Sequence, residues 1–264
     1  MTACRSTYDG ALVAEKRAIP IETPVAIEVN GVAYAVMMTS PCDLDDFVTG
    51  FLLAEGLAEA SEIEEIVLHS ADGGAGIVAR TNLPAHRIAP VMERARRRLG
   101  DSSCGICGLE SIDMALRPLT PLEPSTLPEP QAIAQALQSV RDAQLLGQAT
   151  GATHAAAFCA RNGALLVLRE DVGRHNALDK VIGALARSGQ SAADGFLVVT
   201  SRASYELVEK AVRARCPLLV VISAPTSLAV ERARAAGLAL AVIARDDSML
   251  WVSGPALPPE QNSL

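Results

Sequence analysis

Apolar and polar positions alternate along residues 23–38. Val25, Ile27 and Val29 share one face, Asn30-Gly31 interrupts, and an apolar stretch returns from Val32 to Met38. A period of two around Asn-Gly predicts a β-hairpin. Ser40-Pro41 stops the strand, and the period then changes. Leu44, Phe47, Val48, Phe51 and Leu52 follow helical spacing, with Asp43 as N-cap and Gly56 near the far end. Residues 43–57 therefore predict a helix. Residues 64–69 and 76–81 predict two more strands around a Gly73-Gly74 turn. Residues 88–99 predict an amphipathic helix whose exposed face is arginine-rich. Residues 1–18 read as a polar leader.

Pro118, Pro121, Pro124, Pro128 and Pro130 crowd residues 117–130. That density predicts an extended connection and a domain boundary. Residues 19–116 then form an N-terminal α+β domain, and residues 131–264 a C-terminal domain of different character. There, helices are predicted over 131–146, 176–187, 205–215 and 226–236. Strands are predicted over 154–159, 164–168, 196–200, 218–223 and 238–243. Solidly apolar strands alternating with helices imply an α/β layered sheet covered on both sides.

Composition narrows the class. The 264 residues suffice for one large domain or two smaller ones. Half are apolar but only 3% are aromatic, so the core is built from Ala, Val, Leu and Ile. A formal net charge of −7 argues against general nucleic-acid binding through phosphate neutralisation. Cys4, Cys42, Cys159 and Cys216 are scattered, unlike the dense cysteines of a secreted disulfide scaffold. Cys159 and Cys216 lie in or beside apolar runs and read as small buried hydrophobes. Residues 1–17 contain no apolar signal core, and the longest apolar run, 235–244, is too short to span a bilayer. The default expectation is a reduced, cytoplasmic protein with no membrane or nucleic-acid partner.

The chemistry concentrates in a few segments. Cys104-Gly105-Ile106-Cys107-Gly108 places two thiols three residues apart among glycines. A thiolate is a nucleophile and a metal ligand, and the preceding Arg94, Arg96, Arg97 and Arg98 would favour thiolate over thiol if one folded back. A structural zinc site lacks ligands: there is no second pair and no histidine in the next forty residues. A thioredoxin-like pair would follow a strand and open a helix. A loop thiol that accepts and hands on sulfur fits the glycine flanks better, with a dithiol switch left open.

The second half carries three polar turns. Residues 170–180 hold Glu170, Asp171, Gly173, Arg174, His175, Asn176, Asp179 and Lys180. A helix opening near Asn176 would aim free N–H groups at an anion, with Arg174 and Lys180 as cationic clamps and His175 titrating near neutrality. The bland alternative is a helix cap with Asp179 and Lys180 as solvated charges. Ser201-Arg202-Ala203-Ser204 follows one strand and Ser223-Ala224-Pro225-Thr226-Ser227 another. Such turns at strand ends suit phosphate oxygens, or simple N-capping by Ser201, Ser204 or Thr226. His154 lies in a small-residue turn at a strand start. His69 and His86 have no recognisable context.

Taken in order, the cysteine segment, Thr153-His154-Ala155, Asp171 to Lys180, Ser201 to Glu206 and Ser223 to Ser227 resemble the FdhD family of formate dehydrogenase accessory sulfurtransferases. Val29-Asn30-Gly31 and the stretch from Met38 to Gly56 resemble it too, so the likeness covers residues 20–252. It implies a protein that takes persulfide sulfur from a cysteine desulfurase. The sulfur passes to the molybdenum or tungsten bis(molybdopterin guanine dinucleotide) cofactor, later inserted into formate dehydrogenase. It also implies a second domain of cytidine-deaminase-like fold and a homodimer. The deaminase zinc signature is missing, since Ala155 and Ala156 follow His154 and no proline precedes Cys104, so no metal is expected.

By the same resemblance, Cys104 matches the persulfide-bearing cysteine and Cys107 the second one. Ile243, Ala244, Arg245, Asp246, Asp247 and Ser248 match the cofactor-binding segment. Val242-Ile243 replaces a Gly-Phe pair common in the family. Arg174, His175, Lys180, Ser201 and Arg202 complete the expected cofactor contacts, and a guanine nucleotide such as GDP would occupy the same site. Two other readings stand beside the sulfurtransferase. A cofactor-binding chaperone would keep binding and maturation without Cys104. A dithiol oxidoreductase would need both cysteines equally.

Overall fold

The stretch 1–18, read above as a polar leader, is an antiparallel hairpin. β1 (Thr2–Ser6) pairs with β2 (Leu12–Lys16), with Thr2 opposite Lys16. Neither strand alternates apolar with polar residues, so a period-two hydrophobicity pattern does not reveal it. Its turn is held by Gly10 at φ 91° and by the Thr7 N–H donating to the Ala11 carbonyl, and Arg5 pairs with Glu15 across the strands at 2.6 Å. The structure is a computed structural model that describes residues 1–97 and 118–254.

Asn30 and Gly31 take φ 51° and 77°, the left-handed pair that a tight hairpin turn requires. They join β3 (Thr23–Val29) to β4 (Val32–Thr39). With β5 (Val67–Ser70) and β6 (Ile77–Thr81) these form a four-stranded sheet of order β4-β3-β6-β5, in which β3 and β6 run parallel. Val25, Ile27 and Val29 are fully buried against Phe47, Val48, Phe51 and Leu52 of α1 (Leu44–Ala54). Asp43 is its N-cap by position, but at φ 52° its side chain makes no cap bond and lies 3.5 Å from Arg169 instead. Gly56 at φ 64° ends the helix. α2 (Ala85–Arg97) starts three residues before its expected position and adds Val91 and Ala95 to the same core.

Leu119 and Leu122 of the proline-rich connection pack on the second core, and the Leu122 N–H donates to Ala236 O at 2.9 Å. The single helix expected over 131–146 is two: α3 (Pro130–Ala143) and α4 (Leu145–Thr150), broken at Gln144 where ψ is 75°. Then follow β7 (His154–Ala160), β8 (Leu165–Asp171), α5 (Arg174–Arg187), β9 (Gly195–Val199), α6 (Tyr205–Arg213), β10 (Leu218–Val221), α7 (Ser227–Ala236), β11 (Ala239–Val242) and β12 (Leu250–Ser253). The last strand was not expected. The sheet order is β12-β11-β10-β9-β7-β8, with β9, β10 and β11 parallel and the outer pairs antiparallel.

Both faces of this sheet are covered, which is why its strands are apolar throughout. Leu197, Val199, Leu219, Val221, Leu240 and Val242 face α5, α6 and α7. Phe196, Val198, Leu218, Val220 and Ala241 face Ile133, Ala136, Leu137 and Val140 of α3. The two sheets are joined where α1 lies against α5. A Cβ built on Gly50 would stand 1.8 Å from the Asp179 carbonyl oxygen, and one on Gly183 1.9 Å from that of Asp46. Among the described residues no helix is long and apolar enough to cross a membrane. No group of three or more His, Cys, Asp and Glu among them could hold a metal ion.

Candidate functional site

Strand direction brings most of the expected residues to one edge of the six-stranded sheet. His154, starting β7, lies opposite Asp171, ending β8, and Ala156 lies opposite Val199 near the end of β9. The parallel ends of β9, β10 and β11 open on the same side. Their turns are laced together. Ala155 N–H donates to Thr200 Oγ1 at 2.9 Å, Ala203 N–H to Ala224 O at 3.2 Å, and Ile243 N–H to Ser223 O at 3.1 Å. Arg174, His175, Ser201, Arg202 and Ile243 to Ser248 all follow strand ends on this edge.

Arg174, the first residue of α5, is half-buried, and Arg202 is exposed. Neither has an ion-pair partner among the described residues, so both present cationic charge at the edge. His175 Nε2 lies 2.9 Å from Glu206 and 3.3 Å from Ser204 Oγ. Burial pushes the Glu206 carboxyl up, but the hydrogen bond and charge of His175, with Ser204 and Arg174, outweigh it and hold Glu206 below the usual glutamate range. A lowered folded-state pKa adds stability above the unfolded value, lost as pH falls through the folded one. Glu206→Gln should therefore lower stability near neutrality, by at most about 1 kcal/mol. The deficit should shrink below about pH 4, where the unfolded carboxyl is protonated; urea melts against pH measure it. Burial, then the charges of Arg174 and His175, push His154 down, favouring its neutral ring.

Lys180 corrects both readings of its segment. It is fully buried, so it is neither a ligand clamp nor a solvated charge. Its Nζ lies 2.7 Å from Asp171 Oδ2 and donates to Ser40 O at 3.1 Å and Glu170 O at 3.3 Å. Asp171 is the anion at the start of α5: it accepts from Gly173 N at 2.8 Å, Asn176 Nδ2 at 3.0 Å, Ser40 N at 2.9 Å and the Thr39 hydroxyl. The helix end expected to hold an external anion is thus occupied from within. Asp179 is buried as well, held by Lys210 at 2.5 Å. Ser201 is buried, and its Oγ donates to its neighbour's carbonyl at 3.1 Å. Thr226 caps α7 by accepting from Ala229 N, whereas Ser204 turns its hydroxyl to Glu206.

The Ile243–Ser248 segment has its own geometry. Ile243 sits at φ 50°, a sterically costly value for a β-branched residue, and its side chain is 42% exposed. Ala244 is buried. Arg245 folds back to donate to the carbonyls of Ile222 and Ala244, and its N–H donates to Ser248 O at 2.8 Å. Asp246 pairs with Arg141 of α3, which sequence reading missed because the two are 105 residues apart. Between α3 and this loop lies a cleft of about 350 Å³, walled by Ile133, Leu137, Asp247, Ser248, Met249 and Trp251.

Cys104 and Cys107 lie outside the described residues, as does Arg98. Arg94 donates to Glu55 O at 2.6 Å. Cys42, Cys159 and Cys216 are poor nucleophiles. Burial pushes Cys159 and Cys216 up to about 12. Cys42 is also raised by burial, despite Lys180 Nζ at 3.7 Å.

Known proteins resemble the chain along nearly its whole length. The FdhD/NarQ family profile matches residues 20–256. The chain is 44% identical over 237 residues to the sulfur carrier protein FdhD of Variovorax paradoxus, covering 90% of this chain and 85% of that protein. It is 46% identical over 238 residues to the protein of the same name from Xanthomonas euvesicatoria pv. vesicatoria, covering 90% and 84%. The crystal structure of a protein from Desulfotalea psychrophila, described as a formate dehydrogenase accessory protein, superposes with a TM-score of 0.74 at 25% identity. It covers 97% of this chain and 96% of that one.

Proposed function

The chain belongs to the FdhD/NarQ family, and on that premise we propose that it is a sulfur carrier serving formate dehydrogenase. It takes persulfide sulfur from a cysteine desulfurase and delivers it to the bis(molybdopterin guanine dinucleotide) molybdenum cofactor, its cargo. The observation that carries this reading is the 44–46% identity to sulfur carriers along nine-tenths of the chain, with Cys104 and Cys107 inside the matched span.

The acceptance step follows from thiol chemistry. The Cys104 thiolate attacks the outer sulfur of the donor persulfide. A new S–S bond forms on Cys104, the donor's S–S bond breaks, and the donor leaves as a thiolate. Cys107 relays or resolves the sulfur. The S–S bond on Cys104 then breaks with its electron pair staying on Cys104 as thiolate, and the outer sulfur passes as sulfane sulfur to the cargo, which supplies the two electrons that bring it to sulfide. The polar sheet edge fits the cargo: Arg174 and Arg202, without ion-pair partners among the described residues, supply cationic charge for its phosphates, and the 245–249 cleft offers apolar walls for a ring. Its home in this reading is the cytoplasm, as a homodimer.

Intact-mass spectrometry after incubation with a cysteine desulfurase and cysteine tests the proposal. A reducible one-sulfur increment is expected on the 104–107 peptide and absent in Cys104→Ala. No increment from an active desulfurase would reduce the protein to a cofactor chaperone.

A further inference from the structure

Pro118, Pro121 and Pro124 recur at every third residue, and Leu119 and Leu122 keep the same period one place on. Burial follows that period. The two leucines pack on the core of the six-stranded sheet, while the prolines, Thr120 and Glu123 are exposed. Proline at a three-residue period is the polyproline II pattern, whose backbone makes no hydrogen bonds within itself. Here it makes few outside as well. Leu122 N–H donates to Ala236 O, but the N–H groups of Leu119, Thr120 and Glu123 donate to no described residue. This ridge walls a cleft of about 940 Å³, which the end of α1, Arg94 of α2 and the last turn of α6 close on the other side. Leu53 and Val212 give the cleft an apolar floor. Arg161, Arg215, Glu59 and Asp194 stand around it, none with an ion-pair partner among the described residues. Arg94 and Pro118 both line the cleft, and Cys104 and Cys107 lie between them in the sequence.

Resting on the sulfur-carrier reading above, we propose that this cleft docks the sulfur donor, taking an extended segment of the cysteine desulfurase that carries charges of both signs. The acceptor thiols identify the occupant. They belong to the chain that joins Arg94 to Pro118, so a donor held in the cleft is held beside both ends of that chain. The ridge identifies the form of the segment. Its free N–H groups call for carbonyls, which an extended segment laid alongside supplies in a row. Proline fixes the backbone beforehand, so little entropy is lost when the segment binds. Carboxylates of the segment meet Arg161 and Arg215, and its cations meet Glu59 and Asp194, which sets its direction along the cleft.

Calorimetric titration of the full chain with the cysteine desulfurase of the mass-spectrometric test checks this assignment. Thr120→Pro suits an extended backbone, removes one free N–H and breaks no bond to a described residue. Arg215→Glu reverses an exposed charge that pairs with no described residue. Each is expected to weaken desulfurase binding about fivefold to tenfold and to slow sulfur loading at low donor concentration, with the urea midpoint unchanged. The loss in Arg215→Glu should shrink as salt rises. Either variant binding the desulfurase as tightly as wild type would overturn the docking site and leave the sulfur-carrier reading standing. A midpoint that falls together with the affinity would assign the loss to the fold and overturn it too. Wild type that neither binds the desulfurase nor takes sulfur from it would overturn both.

Discussion

Gly50→Ala is expected to destabilise the protein by more than about 3 kcal/mol, at or beyond the upper end of ordinary overpacking. The obstacle is backbone. The added methyl would stand 1.8 Å from the Asp179 carbonyl oxygen, 2.6 Å from its carbon and 2.9 Å from Gly183 N. No side-chain rotation relieves such a clash, so α1 must move away from α5. That movement would strain two further contacts at the crossing. Asp46 of α1 pairs with Arg169 at 2.7 Å and with Arg187 of α5 at 2.8 Å. Gly183→Ala should cost a similar amount, since its Cβ meets the mirror obstacle at Asp46 O. The double variant should cost less than the sum, because one displacement accommodates both methyls. Urea denaturation of the three variants measures this. A midpoint unchanged in Gly50→Ala would mean that the helices are farther apart than their glycines indicate. Because Arg174 and His175 begin α5, the same displacement should weaken ligand binding at the sheet edge.

The features legible in the sequence were those that local periodicity reports. Asn30-Gly31 announced its hairpin because both residues readily take the left-handed conformation of a type I′ two-residue loop. Leu218 to Val221 announced a strand buried on both faces because no polar position interrupts it. Features set by distant partners were hidden. Asp171, Asp179 and Lys180 look like surface charges on a polar helix start, and only the arrival of Thr39 and Ser40 from the other sheet buries the first and last of them. Nothing local marks Gly50 and Gly183 as the point where α1 and α5 touch. The hairpin of residues 1–18 is closed by Gly10 and an Arg5–Glu15 pair, not by apolar alternation. At the site, the sequence named the turns that meet at the sheet edge. Arg141 and the apolar wall of α3 were missed because nothing local ties them to the 245–249 loop.

Lys180→Met is expected to cost about 3–5 kcal/mol, the usual penalty for leaving one member of a buried ion pair alone. Asp171 would keep its four donors, Thr39 Oγ1, Ser40 N, Gly173 N and Asn176 Nδ2, yet lose the only ammonium among its described contacts. The Ser40 and Glu170 carbonyls would each lose the lysine donor as well. Adding Asp171→Asn should recover much of the loss, because a neutral amide needs no counter-charge. The recovery should be incomplete: Asp171 accepts from donors on both sides, and an amide has only one accepting oxygen. The same network fixes the start of α5. Asn176 donates to Met38 O at 2.8 Å and Val172 N–H to Ser40 Oγ at 3.2 Å, so the four-stranded sheet holds Arg174 and His175 in register with the edge. Lys180→Met should therefore lower both the urea midpoint and the affinity for GDP, and the double variant should restore the midpoint more than the affinity. A loss below about 1 kcal/mol would show that water reaches Asp171 and takes the lysine's place, so the joint between the sheets would rest on the glycine crossing instead.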